Sequence, residues 1–202
     1  MCLINATLRW AAERDNVLLA KMLVSAGADP YDTDGGGRTS FNRAASNGLR
    51  VLALLTEMAF ADTQTDCGCR RWPAYGVNTP SGAYGSTLIT YAVKACRVDT
   101  VAAMMDAGAD VRIVNGSGWS LLHCAAVMPG RADVIKSLLR VFRAQGHDDR
   151  LSALTTHVYE TVYGGHKVIY AAGLTAADLC RARLAQDPAC PQDLNDYLLY
   201  LS

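Results

Sequence analysis

The sequence predicts an all-α repeat solenoid of helix-turn-helix units with finger turns, plus one inserted β-hairpin. Two near copies of one phrase, SAGADPYD at residues 25–32 and DAGADVRI at residues 106–113, lie 81 positions apart. Other features recur with this phrase, because small residues in segments that have a helical apolar pattern repeat at 33 positions, or at 33 positions plus an insertion. Self-similarity at a fixed period of about 20–50 residues is the signature of a repeat architecture.

The spacing of these small residues predicts the repeat boundaries. Ala11 and Ala44 lie 33 positions apart, as do Ala92 and Ala125. The steps from Ala44 to Ala92 and from Ala125 to Cys180 are 48 and 55, which is one period plus insertions of 15 and 22 residues. We therefore expect a single domain, 1–202, with insertions at about 60–84 and 146–172. Its five repeats are expected at about 5–34, 35–60, 83–113, 116–145 and 173–202.

The repeated pattern resembles the ankyrin repeat, in which Gly-x-Thr-Pro-Leu-His-x-Ala-Ala precedes an apolar run and Ala-Gly-Ala-Asp. The best match is GSGWSLLHCAA at 116–126, where Ser120, Leu122, His123 and Ala125 fit the pattern. The proline is absent from every repeat, and the histidine is present once. The resemblance covers nearly the whole chain and implies an ankyrin-like stack. It also implies that partners meet a concave side made of finger tips and the exposed edges of first helices.

Each repeat carries residues suited to starting and ending its helices. Gly27 and Gly108 are expected to end second helices, and Asp29 and Asp110 to order the turn that follows. His123 is expected to form a hydrogen bond to a hydroxyl or to turn backbone. Hydroxyl groups after a Gly-x pair are expected to cap the first helices: Thr39, Thr87, Ser120 and Thr175. Three cysteines are expected inside repeat helices as small buried residues: Cys96, Cys124 and Cys180.

Composition limits the classes of function. Of the residues, 50% are hydrophobic, and 19 basic residues balance 19 acidic ones. Balanced charge argues against broad binding of nucleic acid or membrane surfaces, which requires a basic face. No apolar run approaches the ~18 residues of a spanning helix, and the first residues do not resemble a signal peptide. With an odd set of seven cysteines, we expect a reduced cytoplasmic protein, monomeric when free.

The first insertion reads as a long surface loop rich in Gly, Thr and Pro. It contains Cys67 and Cys69, separated by one glycine. Metal or redox chemistry is the alternative interpretation. Because zinc needs about four N or S ligands and no His or second Cys pair lies near, the loop interpretation is favoured.

The second insertion contains a hairpin signal. Gly164-Gly165 separates two runs rich in β-branched and aromatic residues, within THVYETVYGGHKVIYAAG. If these glycines form the turn, Tyr163 faces His166 and Tyr159 faces Tyr170, so both tyrosines of the first run share one side. That side either contacts a partner or packs on the neighbouring repeat.

The remaining signals favour binding over catalysis. No phosphate-binding loop, zinc-hydrolase helix or nucleophile elbow is present, and we expect no catalytic residue, cofactor or metal. The resemblance, applied position by position, together with the hairpin, places the candidate partner-binding residues at Arg38, Ser46, Asn47, Tyr84, Lys94, Val114, Trp119, Val127, Met128, Tyr159 and Tyr163. Trp119 is expected to be an exposed anchor flanked by Val127 and Met128, unless it lies flat against the second insertion.

These observations predict a non-catalytic protein–protein interaction module that acts by occupancy. The favoured hypothesis is a specific inhibitor or bacterial immunity-type protein that masks one partner, such as a toxin or effector enzyme. An adaptor that bridges two partners is the alternative. An unrecognised enzyme or metal site at Cys67 and Cys69 is the remote alternative.

Overall fold

The computed structural model describes residues 3–47, 49–62, 77–127, 132–144, 146, 159–163, 166–170 and 172–186. The regular elements in this part of the chain are helices and one pair of strands. The chain divides into two compact units, Met1–Ala109 and Asp110–Ser202, which we call the N-terminal unit and the C-terminal unit.

The N-terminal unit contains three successive helix pairs. They are α1 (Leu3–Glu13) with α2 (Val17–Ser25), α3 (Ser40–Asn47) with α4 (Leu49–Asp62), and α5 (Leu88–Lys94) with α6 (Val98–Asp106). The first helix of each pair packs on that of the next, so α3 lies between α1 and α5, and α2 packs on α4. The repeat therefore appears in space as two rows of helices, one of first helices and one of second helices.

Small side chains allow the first helices to pack closely. Ala11 in α1, Ala44 in α3 and Ala92 in α5 are each 0% exposed. One larger apolar residue per helix fills the space beside them at the equivalent position: Leu8, Phe41 and Ile89. Burying such a side chain contributes roughly 1.5–3 kcal/mol. Since each of these residues is buried partly by the neighbouring helix, no repeat could be stable alone.

The second helices end as the sequence predicts. Gly27 and Gly108 follow α2 and α6 with φ of 89° and 84°, the left-handed conformation that glycine adopts without strain. The carboxylates of Asp29 and Asp110 each accept a hydrogen bond of 2.9 Å from the backbone N–H two residues later. These contacts confirm the predicted helix stops and turns.

The C-terminal unit contains three helices and a strand pair among its described residues. They are α7 (Leu121–Ala126), α8 (Ala132–Ala144), β1 (Tyr159–Tyr163), β2 (His166–Tyr170) and α9 (Ala176–Gln186). Helix α7 packs on both α8 and α9. The strands are antiparallel, with Tyr159 opposite Tyr170 and Tyr163 opposite His166. The residues that join the strands, and the strand side chains, lie outside the described part of the chain.

First helices in three repeats begin with a reciprocal capping box. The hydroxyls of Thr39, Ser120 and Thr175 each accept a hydrogen bond from the backbone N–H three residues later. The side chain at that third position returns the contact by accepting from both the backbone N–H and the hydroxyl of the capping residue. The returning side chains are Asn42, His123 and Asp178. Asparagine and aspartate thus take, in two repeats, the place that histidine has in the capping box of Ser120 and His123.

Two sequence predictions need correction. Thr87 makes no side-chain cap to the backbone of α5, and its hydroxyl instead lies 3.2 Å from the Thr90 hydroxyl. Cys96 is not in a helix: it lies in the turn after α5, half-buried, with φ of 57°. Cys124 and Cys180 are buried in α7 and α9 as predicted.

His123 connects two repeats of the C-terminal unit. Its Nδ1 accepts from the N–H of Ser120 at 3.1 Å and from the Ser120 hydroxyl at 2.7 Å. Because a backbone N–H can only donate, Nδ1 carries no proton, and Nε2–H donates to the carbonyl of Leu174 at 3.1 Å. The predicted structural role of this histidine is confirmed.

A partly buried ion pair connects α1 to the turn after α2. Arg9 is 5% exposed, and its Nη1 donates to the Asp32 carboxylate at 2.8 Å and to the Asp32 carbonyl at 3.0 Å. The hydrogen bond from Arg9 holds the pKa of Asp32 below its ordinary value, and this effect outweighs the opposing effect of burial.

Two substitutions of His123 distinguish its contact with Ser120, which caps α7, from its hydrogen bond to Leu174 in the next repeat. We expect His123→Asn to retain the cap, as Asn42 does, and to lose the hydrogen bond from Nε2 to the Leu174 carbonyl, at a net cost of about 1 kcal/mol. We expect His123→Ala to lose the cap as well, at about 1 kcal/mol more. Urea unfolding with amide hydrogen exchange in α7 and α9 measures both. Equal losses for the two variants would show that capping does not contribute.

Acid should weaken the Arg9–Asp32 pair. Because the native pKa of Asp32 lies below the unfolded value of about 3.9, its ionised form stabilises the fold above that pH. This contribution is lost as the pH falls through the native pKa. We expect Asp32→Asn to lower the urea midpoint at pH 7 and to reduce its decrease between about pH 5 and pH 2. Asp106→Asn, which removes an exposed carboxylate, is the control, and an equal effect there would contradict the assignment.

Candidate functional site

A cleft of about 400 Å³ lies in the N-terminal unit, between two finger turns and the ends of α3 and α5. The turns are the second finger, residues 26–39, and the third finger, residues 77–87. Four of the predicted binding residues line the cleft together: Arg38, Ser46, Tyr84 and Lys94. They come from two finger turns and two first helices.

Backbone contacts between the two fingers hold the cleft open. The N–H of Gly82 donates to the Gly37 carbonyl at 2.9 Å, and the N–H of Ala83 donates to the Gly36 carbonyl at 3.1 Å. A Cβ at Gly37 would lie 3.2 Å from the Gly82 Cα, and a Cβ at Gly82 would collide with the Tyr91 hydroxyl. Both glycines also have positive φ, 71° and 74°. The close approach of the fingers therefore requires glycine at both positions.

The Asp34 carboxylate is committed to the second finger. Its Oδ1 accepts from the N–H groups of Gly36 and Arg38 at 2.9 Å, and its Oδ2 accepts from Arg43 Nη2 at 2.8 Å. Burial raises the pKa of Asp34. The hydrogen bonds from the backbone of Arg38 and from Arg43 lower it by more than burial raises it, so the net shift is downward. Asp34 therefore stays ionised as part of the turn.

Two cations line the cleft, Arg38 exposed and Lys94 half-buried. The Arg38 side chain is 48% exposed, and its Nε lies 4.0 Å from the Asp34 carboxylate, at the limit of an ion pair. Lys94 is the last residue of α5, where the helix dipole favours a positive charge. Among the residues that the structure describes, no carboxylate forms an ion pair with Lys94. The cleft is thus locally basic in a chain of balanced charge.

The other predicted binding residues lie elsewhere. Asn47 is exposed at the end of α3, and its amide donates to the Arg43 carbonyl at 3.4 Å. In the C-terminal unit, Val114 is 48% exposed, and Val127 is half-buried directly after α7. Met128 and the side chains of Tyr159 and Tyr163 lie outside the described residues.

The prediction that Trp119 is an exposed anchor is wrong, because the residue is 3% exposed. Asn115 draws its backbone inward: the Asn115 side chain accepts from the Trp119 N–H, and the Asn115 N–H donates to the Trp119 carbonyl, each at 3.0 Å. The indole ring lies 6.2 Å from the His123 ring. At the equivalent position of the second finger stands Arg38, whose charged group faces solvent because burial would remove its hydration.

An exposed aromatic residue that the sequence analysis missed is Trp10 in α1. It is 49% exposed, and the guanidinium of Arg14 lies 5.3 Å from its ring centroid. Trp10 precedes Ala11 just as Arg43 precedes Ala44 and Tyr91 precedes Ala92. The alignment of repeats therefore already placed it on the same edge of the first helices. Trp10 and Tyr84, which is 59% exposed, are the exposed aromatic groups of this face.

The described residues also bear on metal binding and on membrane insertion. In that part of the chain, no cluster of three His, Cys, Asp or Glu side chains could hold a metal ion, and no helix is long and apolar enough to span a membrane. Cys67 and Cys69 lie outside it, so a metal or redox site there remains a hypothesis.

Comparison with known protein families shows a match to a repeat family. A family model described as "Ankyrin repeats (many copies)" matches residues 8–69 and 89–139, which is more than half of the chain. The matched ranges include both cations of the cleft, Arg38 and Lys94, as well as Trp10 and the capping residue His123.

Gly82→Ala tests whether the fingers must approach this closely. We expect a loss of about 1–2 kcal/mol from the left-handed backbone, plus about 1–3 kcal/mol from the collision with Tyr91. Adding Tyr91→Phe removes the atom that collides, so the double variant should recover the second part, less the contribution of the 3.3 Å hydrogen bond from the Tyr91 hydroxyl to the Ser81 carbonyl. Gly35→Ala is the control, since a Cβ at Gly35 meets nothing within 4 Å. Urea unfolding measures each variant, and a Gly82→Ala midpoint equal to that of Gly35→Ala would refute this account.

Proposed function

Because the chain belongs to the ankyrin repeat family, whose repeats are protein–protein interaction modules, we propose that it binds and masks one partner protein. It would act as a specific inhibitor or immunity-type protein in the cytoplasm, monomeric when free. The partner would be a protein such as a toxin or effector enzyme. This function needs no catalytic group, because a bound repeat stack acts by covering the surface that its partner needs.

The supporting observation is a face of the N-terminal unit that we call the helix-edge surface. It consists of Trp10, Arg38, Ser46, Tyr84 and Lys94. These residues come from three repeats whose first helices pack side by side. Exposed aromatic groups surrounded by Arg and Lys are the composition of interface anchors with a polar rim. Such a surface suits one specific protein partner better than a small molecule.

Rigidity supports tight binding by this surface. The cation–π contact with Arg14 holds the ring of Trp10, and the hydrogen bonds between the fingers hold the wall that carries Tyr84. Side chains and loops that are already ordered lose less entropy on binding, so more of the contact energy appears as affinity. A masking protein needs this property, because it must outcompete the partner's own targets.

A second candidate function, an adaptor, is favoured by an exposed apolar pair on α2. Leu18 and Met22 are 72% and 60% exposed and lie one helical turn apart. Helix α2 belongs to the row of second helices, away from the helix-edge surface. Exposed apolar side chains that adjoin on a helix indicate an interaction site. A second partner bound there would make the chain a bridge.

One capture experiment separates these functions. The wild-type chain, Trp10→Ala and Leu18→Ala are used as bait in lysate of the native source, and the bound proteins are identified by mass spectrometry. We expect one partner to be retained by wild type and Leu18→Ala, and lost with Trp10→Ala. Loss of an anchor costs about 2 kcal/mol or more, which is roughly 30-fold in affinity.

The purified partner then decides between masking and bridging. We expect its activity to be inhibited by wild type at one-to-one stoichiometry and to be restored with Trp10→Ala. A second protein that is lost only with Leu18→Ala would establish the adaptor instead. Retention of the same proteins by all three baits would refute the helix-edge surface as the site of binding.

A further inference from the structure

We propose that the cleft lined by Arg38 and Lys94 receives the carboxylate side chain of an acidic residue in the partner protein. This inference rests on the proposed function and specifies the chemistry of its partner. The acidic residue would adjoin an apolar residue, because the exposed ring of Tyr84 stands beside the two cations in the same cleft.

The positive charge of Arg38 is only weakly paired within the second finger. Asp34, the acidic residue in contact with Arg38, already accepts two backbone N–H groups and a 2.8 Å hydrogen bond from Arg43. Its contact with Arg38 is 4.0 Å long, so the guanidinium retains its hydrogen-bonding capacity. A guanidinium in this condition can donate two parallel hydrogen bonds to one incoming carboxylate. Lys94 adds a second charge to the lining of the same cleft.

The backbone of the second finger favours a carboxylate over a phosphate as the anion bound in the cleft. Phosphate sites are built from free N–H groups at a helix N-terminus or a turn. Here the N–H groups of Gly36, Gly37 and Arg38 are all taken by Asp34. The cleft also lies at the C-terminal ends of α3 and α5, where the helix dipole repels a dianion more than a single negative charge.

The rest of the cleft matches a side chain on an extended peptide. The methyl groups of Ala83 and Ala95 and the ring of Tyr84 give apolar contact, and the hydroxyls of Ser46 and Ser86 are polar groups in the same lining. A volume of about 400 Å³ accommodates a glutamate with part of a neighbouring residue. It falls in the range of sites that enclose small ligands.

The test titrates the full ¹⁵N-labelled chain with capped peptides and follows backbone amide shifts. The probes are Ala-Glu-Leu-Glu-Ala, its neutral counterpart Ala-Gln-Leu-Gln-Ala, and inorganic phosphate. We expect the acidic peptide to shift the amides of Gly36, Arg38, Ser46 and Ala95 saturably, with a Kd on the order of 1 mM. The neutral peptide should bind about tenfold more weakly or not at all, because it cannot form charge-assisted hydrogen bonds.

Charge variants assign the effect to the cleft. We expect Arg38→Glu and Lys94→Glu each to abolish binding of the acidic peptide. Lys21→Glu makes the same change of charge at an exposed site on α2 and should leave binding unchanged. If a reversed charge disturbs the spectrum of the folded chain, the neutral variants Arg38→Gln and Lys94→Gln replace the charge-reversed ones. Each should weaken binding of the acidic peptide several-fold.

Three results would overturn the inference. Equal binding of the acidic and neutral peptides would show that the cleft does not recognise charge. Saturable phosphate binding at these amides without binding of the acidic peptide would make the cleft a phosphate site. An equal loss with Lys21→Glu and Lys94→Glu would show that the effect is overall charge rather than the cleft.

The same variants in the capture experiment distinguish this inference from the proposed function. If Trp10→Ala loses the partner while Arg38→Glu and Lys94→Glu retain it, the masking function stands and the acidic contact is refuted. If the acidic peptide binds the cleft but every bait, including both cleft variants, retains the same proteins, the cleft recognises carboxylates and the proposed function fails.

Discussion

The close packing of neighbouring first helices is the constraint on which this structure depends. Helix α3 can contact both α1 and α5 because alanine occupies the centre of each interface and is fully buried there. A larger residue at these positions would force the helices apart. The same spacing brings the second and third fingers within hydrogen-bonding distance of each other. The cleft therefore depends on small, buried alanine residues of the first helices that do not line it.

Local hydrogen bonding then decides which charges are available for binding. Asp34 is an acidic residue in the turn beside a basic cleft, yet it leaves Arg38 largely unpaired, because turn backbone and Arg43 satisfy its oxygens. The turn thus uses a negative charge internally and presents a positive one to solvent. Charges arranged in this way steer association and select partners more than they contribute raw affinity.

One position of the repeat is exposed in the N-terminal unit and buried in the C-terminal unit. Arg38 and Trp119 both follow the glycine of a finger turn, and their backbones make the same hydrogen bonds, to Asp34 and to Asn115. The arginine keeps its charge in solvent, while the tryptophan ring is buried near His123. Turn geometry is therefore conveyed by the repeat pattern, whereas exposure depends on what surrounds each side chain.

The sequence by itself determined the repeat period, the family, the helix stops at Gly27 and Gly108, and the hydrogen bond from His123 to a hydroxyl or turn backbone. These features arise from contacts within a few residues, so their spacing is visible in the chain. It also named four residues that prove to line one cleft, because equivalent positions of stacked repeats share a face. Only the tertiary structure decided that Trp119 is buried, that Trp10 is exposed and that Asp34 leaves Arg38 available. Burial and charge pairing depend on neighbours distant in sequence. A repeat pattern therefore does not encode which apolar residue is covered by a neighbouring element and which faces solvent.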